Sequence, residues 1–171
     1  VSRFLTRLQG SIQDENTLEF LQLLDEAMKL QPKRAKRVIR IIINSKGGDC
    51  DCGFAIYDAL KRSGLEIETV VEGSAASMGA IVFMAGKVRM ITPNSTIAVH
   101  RPKISQIQEK SGLEDYGLTV SWLKSMESRM LNIVLCEIEE KYKAKVARDI
   151  RLGKFYSAEE AIKYGFAHKI I

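Results

Sequence analysis

The sequence predicts an α/β fold in which strands and helices alternate along a single domain. Runs of β-branched apolar residues, such as 38–43 and 67–71, are typical of strands covered on both faces of a parallel sheet. Segments with helical periodicity separate these runs, and breaks that contain glycine or proline bound them. Repeated units of this kind favour right-handed β-α-β crossovers.

Length and composition describe an ordinary globular protein. The chain has 171 residues, of which 46% are hydrophobic and 27% are charged, so we interpret residues 1–171 as one domain. No window approaches the roughly 20 uninterrupted apolar residues of a membrane span, and the first residues lack the apolar core of a signal peptide. Three cysteines do not indicate a disulfide framework. These features predict a cytoplasmic protein with no membrane partner.

The net charge of +5 is modest, and its densest part precedes the strand at 38–43. The basic residues there are Lys33, Arg34, Lys36, Arg37 and Arg40. No stacking aromatic residues and no known nucleic-acid motif accompany them, so a solvated loop is the better interpretation. We expect no nucleic-acid partner.

The first half of the chain reads as strand, helix, strand, helix. Residues 4–8 form a strand, and Asp14 or Asn16 caps a helix that ends before Pro32. The apolar positions of this helix are Leu18, Leu21, Leu24, Ala27 and Met28. After the strand at 38–43, the glycines of residues 44–48 break the chain, and a second helix runs to Gly64.

The second half continues with the strand at 67–71, a helix that ends near Gly86, and strands at 88–91 and 96–99. Residues 113–145 contain few breakers and predict one long helix. Its apolar stripe consists of Leu123, Met126, Met130, Ile133, Val134 and Ile138. Residues 157–160 form a capping box for a short helix that stops at Gly165, and residues 166–171 form a last strand.

The stretch 70–85 carries the first functional signal. A buried strand ends among small residues, and an apolar helix begins after Ser77. A helix start offers free N–H groups, which would stabilise an anion that forms beside Ser77. This resembles a nucleophile elbow with Ala75 in place of the usual glycine. The alternative is that small residues merely allow tight packing of helix on strand.

Two further places supply groups that a serine nucleophile needs. Gly47 and Gly48 allow a backbone N–H to face a ligand. His100 ends an apolar strand 23 residues after Ser77 and is a candidate base, because a serine hydroxyl needs one near neutral pH. Asp149 stands at a break after the long helix and is a candidate for the acid that orients the base. By spacing alone it is one acid among many.

Other residue patterns have weaker functional interpretations. Ser74 is a rival nucleophile, and Lys46 or Lys87 would be the base of a Ser–Lys dyad. Cys50 and Cys52 resemble half of a metal site, but there is no second pair and no histidine near them in the sequence. We therefore expect no metal and no cofactor.

Four segments resemble the proteolytic subunit of the Clp protease, the ClpP family, a relative of the crotonases. They are INSKGGDCDCGFAIYDAL (43–60), EGSAASMGA (72–80), TPNSTIAVHRP (92–102) and ARDIRLGKFYSAEEAIKYGFAHKII (147–171). They occur in the order of the family, and with the elements between them the resemblance covers nearly the whole chain.

The resemblance implies Ser77 as nucleophile, His100 as general base and Asp149 as its orienting acid. It also implies an oxyanion hole formed by the backbone N–H groups of Gly48 and Met78. The fold would be built from β-β-α and β-α-β units of the ClpP/crotonase type, with a long protruding helix used in oligomerisation. The substrate peptide would lie as an added strand beside Gly48 and Lys103.

The expected partners also follow from the resemblance. They are unfolded proteins or short peptides as substrates, further copies of the chain in a homo-oligomeric ring (a heptamer or tetradecamer), and in some systems an AAA+ unfoldase that makes proteolysis ATP-dependent.

The chain departs from the family pattern at several places. Lys46 replaces a proline, the connection after the Ser77 helix is about two residues short, and residues after Pro102 lack a glycine- and glutamine-rich stretch. The sequence begins almost at the first strand, which indicates short or absent axial loops.

The leading hypothesis is thus a serine endopeptidase that works through an acyl-enzyme. The alternatives are a non-catalytic structural subunit of a mixed Clp-type ring, or an acyl-CoA enzyme of the crotonase type.

Overall fold

The computed structural model describes residues 2–29, 37–103 and 113–171. Within these ranges the strands are β1 (Ser2–Ile12), β2 (Arg37–Gly48), β3 (Glu66–Ala76), β4 (Val88–Ile91), β5 (Thr96–Ala98), β6 (Phe155–Tyr156) and β7 (Lys169–Ile170). The helices are α1 (Asp14–Lys29), α2 (Cys50–Arg62), α3 (Met78–Phe83), α4 (Leu113–Glu137), α5 (Glu140–Leu152) and α6 (Ala158–Lys163). Pro32, three basic residues (Lys33, Arg34 and Lys36) and most of the segment after Lys103 lie outside the described residues.

The strands form one sheet in the order β1-β2-β3-β4-β7, and each neighbouring pair is parallel. The first three strands are joined through α1 and α2, as crossover connections between parallel strands require. β5 also pairs parallel with β3, and β6 pairs antiparallel with β5. The prediction of an α/β fold with a parallel sheet is confirmed.

β2 lies between β1 and β3 in the sheet and is covered on both faces. Alternate residues of a strand point to opposite faces. Ile39, Ile41 and Ile43 belong to the main hydrophobic core, whereas Ile42 packs with Val70 and Met90 in a smaller cluster. This arrangement explains why β2 reads as a nearly continuous apolar run in the sequence.

The buried face of α1 differs from the predicted one. Thr17, Phe20, Leu24 and Ala27 are buried, whereas Leu18 is 60% exposed. The predicted cap is also wrong, because α1 already includes Asp14, and the Asn16 side chain donates a hydrogen bond to the Ser11 carbonyl. The buried face of α1 is therefore shifted by about one residue from the predicted face, since Phe20 rather than Leu18 or Leu21 enters the core.

Two strands are longer than the apolar runs that predicted them. β1 extends to Ile12, and β3 continues through Gly73 to Ala76. The extension of β3 consists of small residues that pair with β2 and β5, for example Ala75 with Ser45 and with Ile97. Backbone pairing on both sides holds these residues in the sheet, although their side chains give no β-strand signal.

The single long helix predicted over residues 113–145 is wrong, because the chain breaks between α4 and α5 at Ile138 and Glu139. Ile138 is buried in the core, and Glu137 forms an ion pair with the buried Arg89 at 2.9 Å. These tertiary contacts turn the chain where no glycine or proline marks a break. The capping box at Ser157 is confirmed, with both reciprocal hydrogen bonds to Glu160.

Arg89 links the end of α4 to the C-terminal segment. It is 2% exposed, and its guanidinium donates to the carbonyls of Gly86, Gly165 and Phe166 as well as to Glu137. A buried guanidinium is tolerated only with this degree of pairing. Arg89 therefore fixes the chain direction where α4 ends.

We predict that Arg89→Leu lowers the free energy of unfolding by about 3 kcal/mol, because it leaves one carboxylate and three carbonyls without their donor. Urea denaturation measures this change. Arg7→Leu is the control, since the ion pair of Arg7 with Glu72 is exposed and contributes less than about 1 kcal/mol. Equal losses in the two variants would contradict the structural role of Arg89.

Candidate active site

Ser77 occupies the sharp turn between β3 and α3. Its φ of 53° and ψ of −124° make it the one non-glycine residue with positive φ among the described residues. Such a conformation costs about 1–3 kcal/mol and persists only where the surroundings enforce it. Here the Ser77 N–H donates to the Ala98 carbonyl of β5 at 2.7 Å, which ties the turn to the neighbouring strand.

The helix that follows Ser77 is short and fully buried. Met78 is its first residue, so the Met78 N–H has no acceptor within the helix. The Ser77 side chain does not cap the helix, whereas the Ser77 carbonyl accepts from the N–H groups of Ala80 and Ile81. The turn therefore leaves both the Ser77 hydroxyl and the Met78 N–H uncommitted to the helix.

Gly47 packs its backbone directly against this turn. A Cβ on Gly47 would lie 2.6 Å from the Ser77 Cβ, 2.7 Å from the Ala76 oxygen and 2.9 Å from the Met78 nitrogen. Gly47 also has a φ of 89°, which disfavours any other residue. The end of β2 thus approaches Ser77 and Met78 more closely than a side chain allows.

Gly48 continues the same approach on the side of β1. A Cβ on Gly48 would lie 2.0 Å from the Ile12 oxygen, so only glycine fits between β1 and α2. Gly79 in turn faces Ser45, whose carbonyl oxygen would lie 3.0 Å from an added Cβ. The structure therefore brings the Gly47-Gly48 segment to the Ser77 turn, as the sequence predicts for a strand end.

His100 lies two residues beyond Ala98, the residue that binds the Ser77 N–H. Its Nδ1 is 2.7 Å from the Arg101 carbonyl oxygen. Because a carbonyl oxygen only accepts, Nδ1 carries a proton, and in the neutral ring Nε2 then holds the lone pair. This is the tautomer that a general base requires.

Asp149 is buried on α5 at 5% exposure, with hydrogen bonds to Lys145 and to the Tyr156 hydroxyl at 3.1 Å. Burial raises the pKa of the Asp149 carboxyl, but the bonds from Lys145 and Tyr156 outweigh burial, so the pKa lies below its ordinary value. Asp149 is thus a carboxylate at neutral pH. Among the described residues, no hydrogen bond joins it to His100, or His100 to Ser77.

Gly153, at the C-terminal end of α5, lies next to His100. Gly153 caps α5 in the left-handed conformation, and a Cβ there would lie 3.7 Å from the His100 Cβ. Glu127 of α4 forms ion pairs with Arg101, the neighbour of His100, and with Arg151, each with a nitrogen–oxygen distance of 3.4 Å. These neighbours of His100 were not predicted from the sequence. The i, i+4 spacing of Lys145 and Asp149 is a signal that would have indicated their ion pair.

The alternative bases, Lys87 and Lys46, and the alternative nucleophile, Ser74, are less well placed than His100 and Ser77. The Lys87 N–H binds the carbonyl of Ile67 near the start of β3, while Ser77 follows the end of that strand, roughly 30 Å away at about 3.3 Å per residue. Lys46 is exposed, and no hydrogen bond among the described residues joins it to Ser77. Ser74 lies within β3, paired with Thr96, rather than at the turn.

Cys50 and Cys52 are free cysteines and form no part of the site around Ser77. The Cys52 thiol donates to Asp14 Oδ1 at 3.2 Å, and burial raises its pKa to about 11. Within residues 2–29, 37–103 and 113–171, no cluster of three or more His, Cys, Asp or Glu side chains is arranged to hold a metal ion. In the same ranges no helix is long and apolar enough to cross a membrane.

The fold and this turn define a class: an α/β protein with a serine at a strained strand-to-helix elbow. A sequence model of the Clp protease family matches residues 3–171. The chain therefore belongs to the Clp protease family, whose members are peptidases of the ClpP type that assemble into rings.

We predict that Gly47→Ala reduces the rate of covalent labelling of Ser77 by a fluorophosphonate by at least about 100-fold, because the new methyl group would collide with Ser77 and Met78 and displace the turn. Labelling is followed by intact mass. Gly64→Ala is the matched control, since Gly64 also has positive φ but an added Cβ there meets nothing within 4 Å. If both variants label equally slowly, strain rather than this contact is responsible.

We predict that Asp149→Asn lowers the free energy of unfolding by about 2 kcal/mol at pH 7. Because folding lowers the pKa of Asp149, its contribution is present above the unfolded pKa of about 3.9 and is lost as the pH falls through the lower folded value. The difference from wild type in urea titrations should therefore shrink below about pH 4. Glu140→Gln, on an exposed position of α5, should change stability little at any pH.

Proposed function

We propose that this protein is a serine endopeptidase that cleaves unfolded proteins or short peptides inside an oligomeric ring. The observation that carries the proposal is the strained Ser77 turn, held against the backbone of Gly47 with the Met78 N–H beside it. Strain of this kind concentrates at functional sites, and no packing requirement of the turn itself demands a serine.

The proposed reaction is acyl transfer through Ser77. Nε2 of His100 accepts the Ser77 hydroxyl proton while Oγ attacks the carbonyl carbon of the scissile peptide bond. The N–H groups of Gly48 and Met78 stabilise the oxyanion of the tetrahedral intermediate. The imidazolium then returns its proton to the leaving amine, and a water activated by His100 hydrolyses the acyl-enzyme.

The resemblance implies Asp149 as the orienting acid, but the proposal leaves that role unassigned. Lys145 and Tyr156 hold the Asp149 carboxylate, which would have to exchange one of them for His100 before it could orient the imidazole. The substrate is proposed to add as a strand beside Gly48 and Lys103, so that main-chain hydrogen bonds supply most of its affinity.

Assembly is proposed to be a homo-oligomeric ring, a heptamer or a tetradecamer, that receives substrates from an AAA+ unfoldase and so acts in an ATP-dependent way. The first half of α4 supports self-association, because it exposes several large apolar side chains. These are Tyr116, Leu118, Val120 and Trp122. The free cysteines among the described residues fit a reducing cytoplasm as the location.

The second candidate is a non-catalytic structural subunit of a mixed Clp-type ring. One observation favours it: no hydrogen bond among the described residues links Ser77, His100 and Asp149 into a relay.

A fluorophosphonate probe separates the two functions. We predict that it labels the assembled wild-type protein and fails to label Ser77→Ala, and that cleavage of a fluorogenic peptide disappears with the label. Ser74→Ala is the control and should label like wild type, because Ser74 lies within the β3 ladder. Wild-type protein that never labels, although assembled, would contradict the peptidase function and favour the structural subunit.

A further inference from the structure

The orientation of His100 in this chain comes from the backbone. Its Nδ1–H donates to the Arg101 carbonyl at 2.7 Å, which fixes both the ring and the tautomer. A neutral carbonyl does this as well as a carboxylate does. It contributes much less, however, to the stability of the imidazolium that forms when His100 accepts a proton.

Among the described residues, the carboxylates of Asp149 and Glu127 are both committed to other partners. Asp149 binds Lys145 and Tyr156. Glu127 binds Arg101 and Arg151. Two guanidinium groups share the Glu127 carboxylate, so Glu127 is not free to pair with an imidazolium at His100.

The position that faces His100 is occupied by a residue without a side chain. Gly153 ends α5, and a Cβ built there would contact the His100 Cβ at 3.7 Å, an ordinary van der Waals distance. Asp149 lies one helical turn earlier, on the same face of α5 but turned into the Tyr156 contact. A short acidic side chain at position 153 would have both the space and the direction to reach the imidazole.

We propose that this chain works as a Ser77–His100 dyad whose positioning group is the Arg101 carbonyl, and that residue 153, not Asp149, is the position from which an acid would complete a triad. This inference rests on the proposed peptidase function. It predicts slow intrinsic catalysis that one substitution accelerates.

Gly153→Asp and Gly153→Asn form a matched pair for the test. Both side chains tolerate the left-handed conformation of residue 153 and have nearly the same shape, so they share any cost in folding. Only the aspartate supplies a charge. The assembled full-length protein is used, with Ser77→Ala as the blank and Asp149→Asn as the third variant.

We predict that Gly153→Asp is labelled by the fluorophosphonate about 10 to 100 times faster than Gly153→Asn. Asp149→Asn should label at the wild-type rate. The acid limb of the pH–rate profile should move to higher pH in Gly153→Asp alone, because a neighbouring carboxylate favours the protonated imidazole. A merely structural effect at position 153 would leave that limb unmoved.

Equal rates in the two position-153 variants, or a loss of Ser77-dependent labelling in Asp149→Asn with its melting transition intact, would overturn the dyad while the peptidase function stands. If the position-153 variants fail to fold, the Asp149→Asn rate alone decides. No labelling of Ser77 in any variant would overturn the proposed function, and the dyad with it.

Discussion

The close approach of two backbones at Gly47 and Ser77 is the constraint on which the site depends. No side chain fits between the end of β2 and the turn after β3, since even a Cβ would lie within 2.6–2.9 Å of three atoms. This contact requires small residues on both strands, and Ser45 pairs with Ala75 accordingly. It also brings the Gly47 backbone beside the Met78 nitrogen, which is 2.9 Å from a Cβ built on Gly47.

The sequence predicts the architecture well where packing has a periodic signature. β2 was recognisable because both of its faces are buried, and α6 because its capping box is local. The α4–α5 break was not predictable, because it depends on tertiary contacts. Arg89, which is distant in sequence, pairs with Glu137 at the end of α4, and Ile138 in the break is buried in the core. The same holds for the end of β3, where small residues stay in the sheet through backbone pairing.

For the site, residue types and breaks predicted Ser77, His100 and the glycine pair. The structure brings the segments that carry them close together, because Ser77 binds Ala98 of β5 and Gly47 packs against the Ser77 turn. Asp149 shows what such reasoning lacks. An acid near a helix end matches the sequence pattern of an orienting acid. Only the folded structure shows that Lys145 and Tyr156 hold the Asp149 carboxylate and that Gly153 faces His100. The chemistry of a relay depends on side-chain direction, which spacing along a chain does not encode.

The most direct test is a crystal structure of the assembled protein after reaction with a fluorophosphonate. The account requires the phosphorus on Ser77 Oγ, with the phosphonyl oxygen accepting hydrogen bonds from the N–H groups of Gly48 and Met78. His100 should remain bound to the Arg101 carbonyl. An adduct on Ser74 or elsewhere, or a phosphonyl oxygen that faces solvent away from both amides, would contradict the claim that the Gly47–Ser77 contact builds the active site.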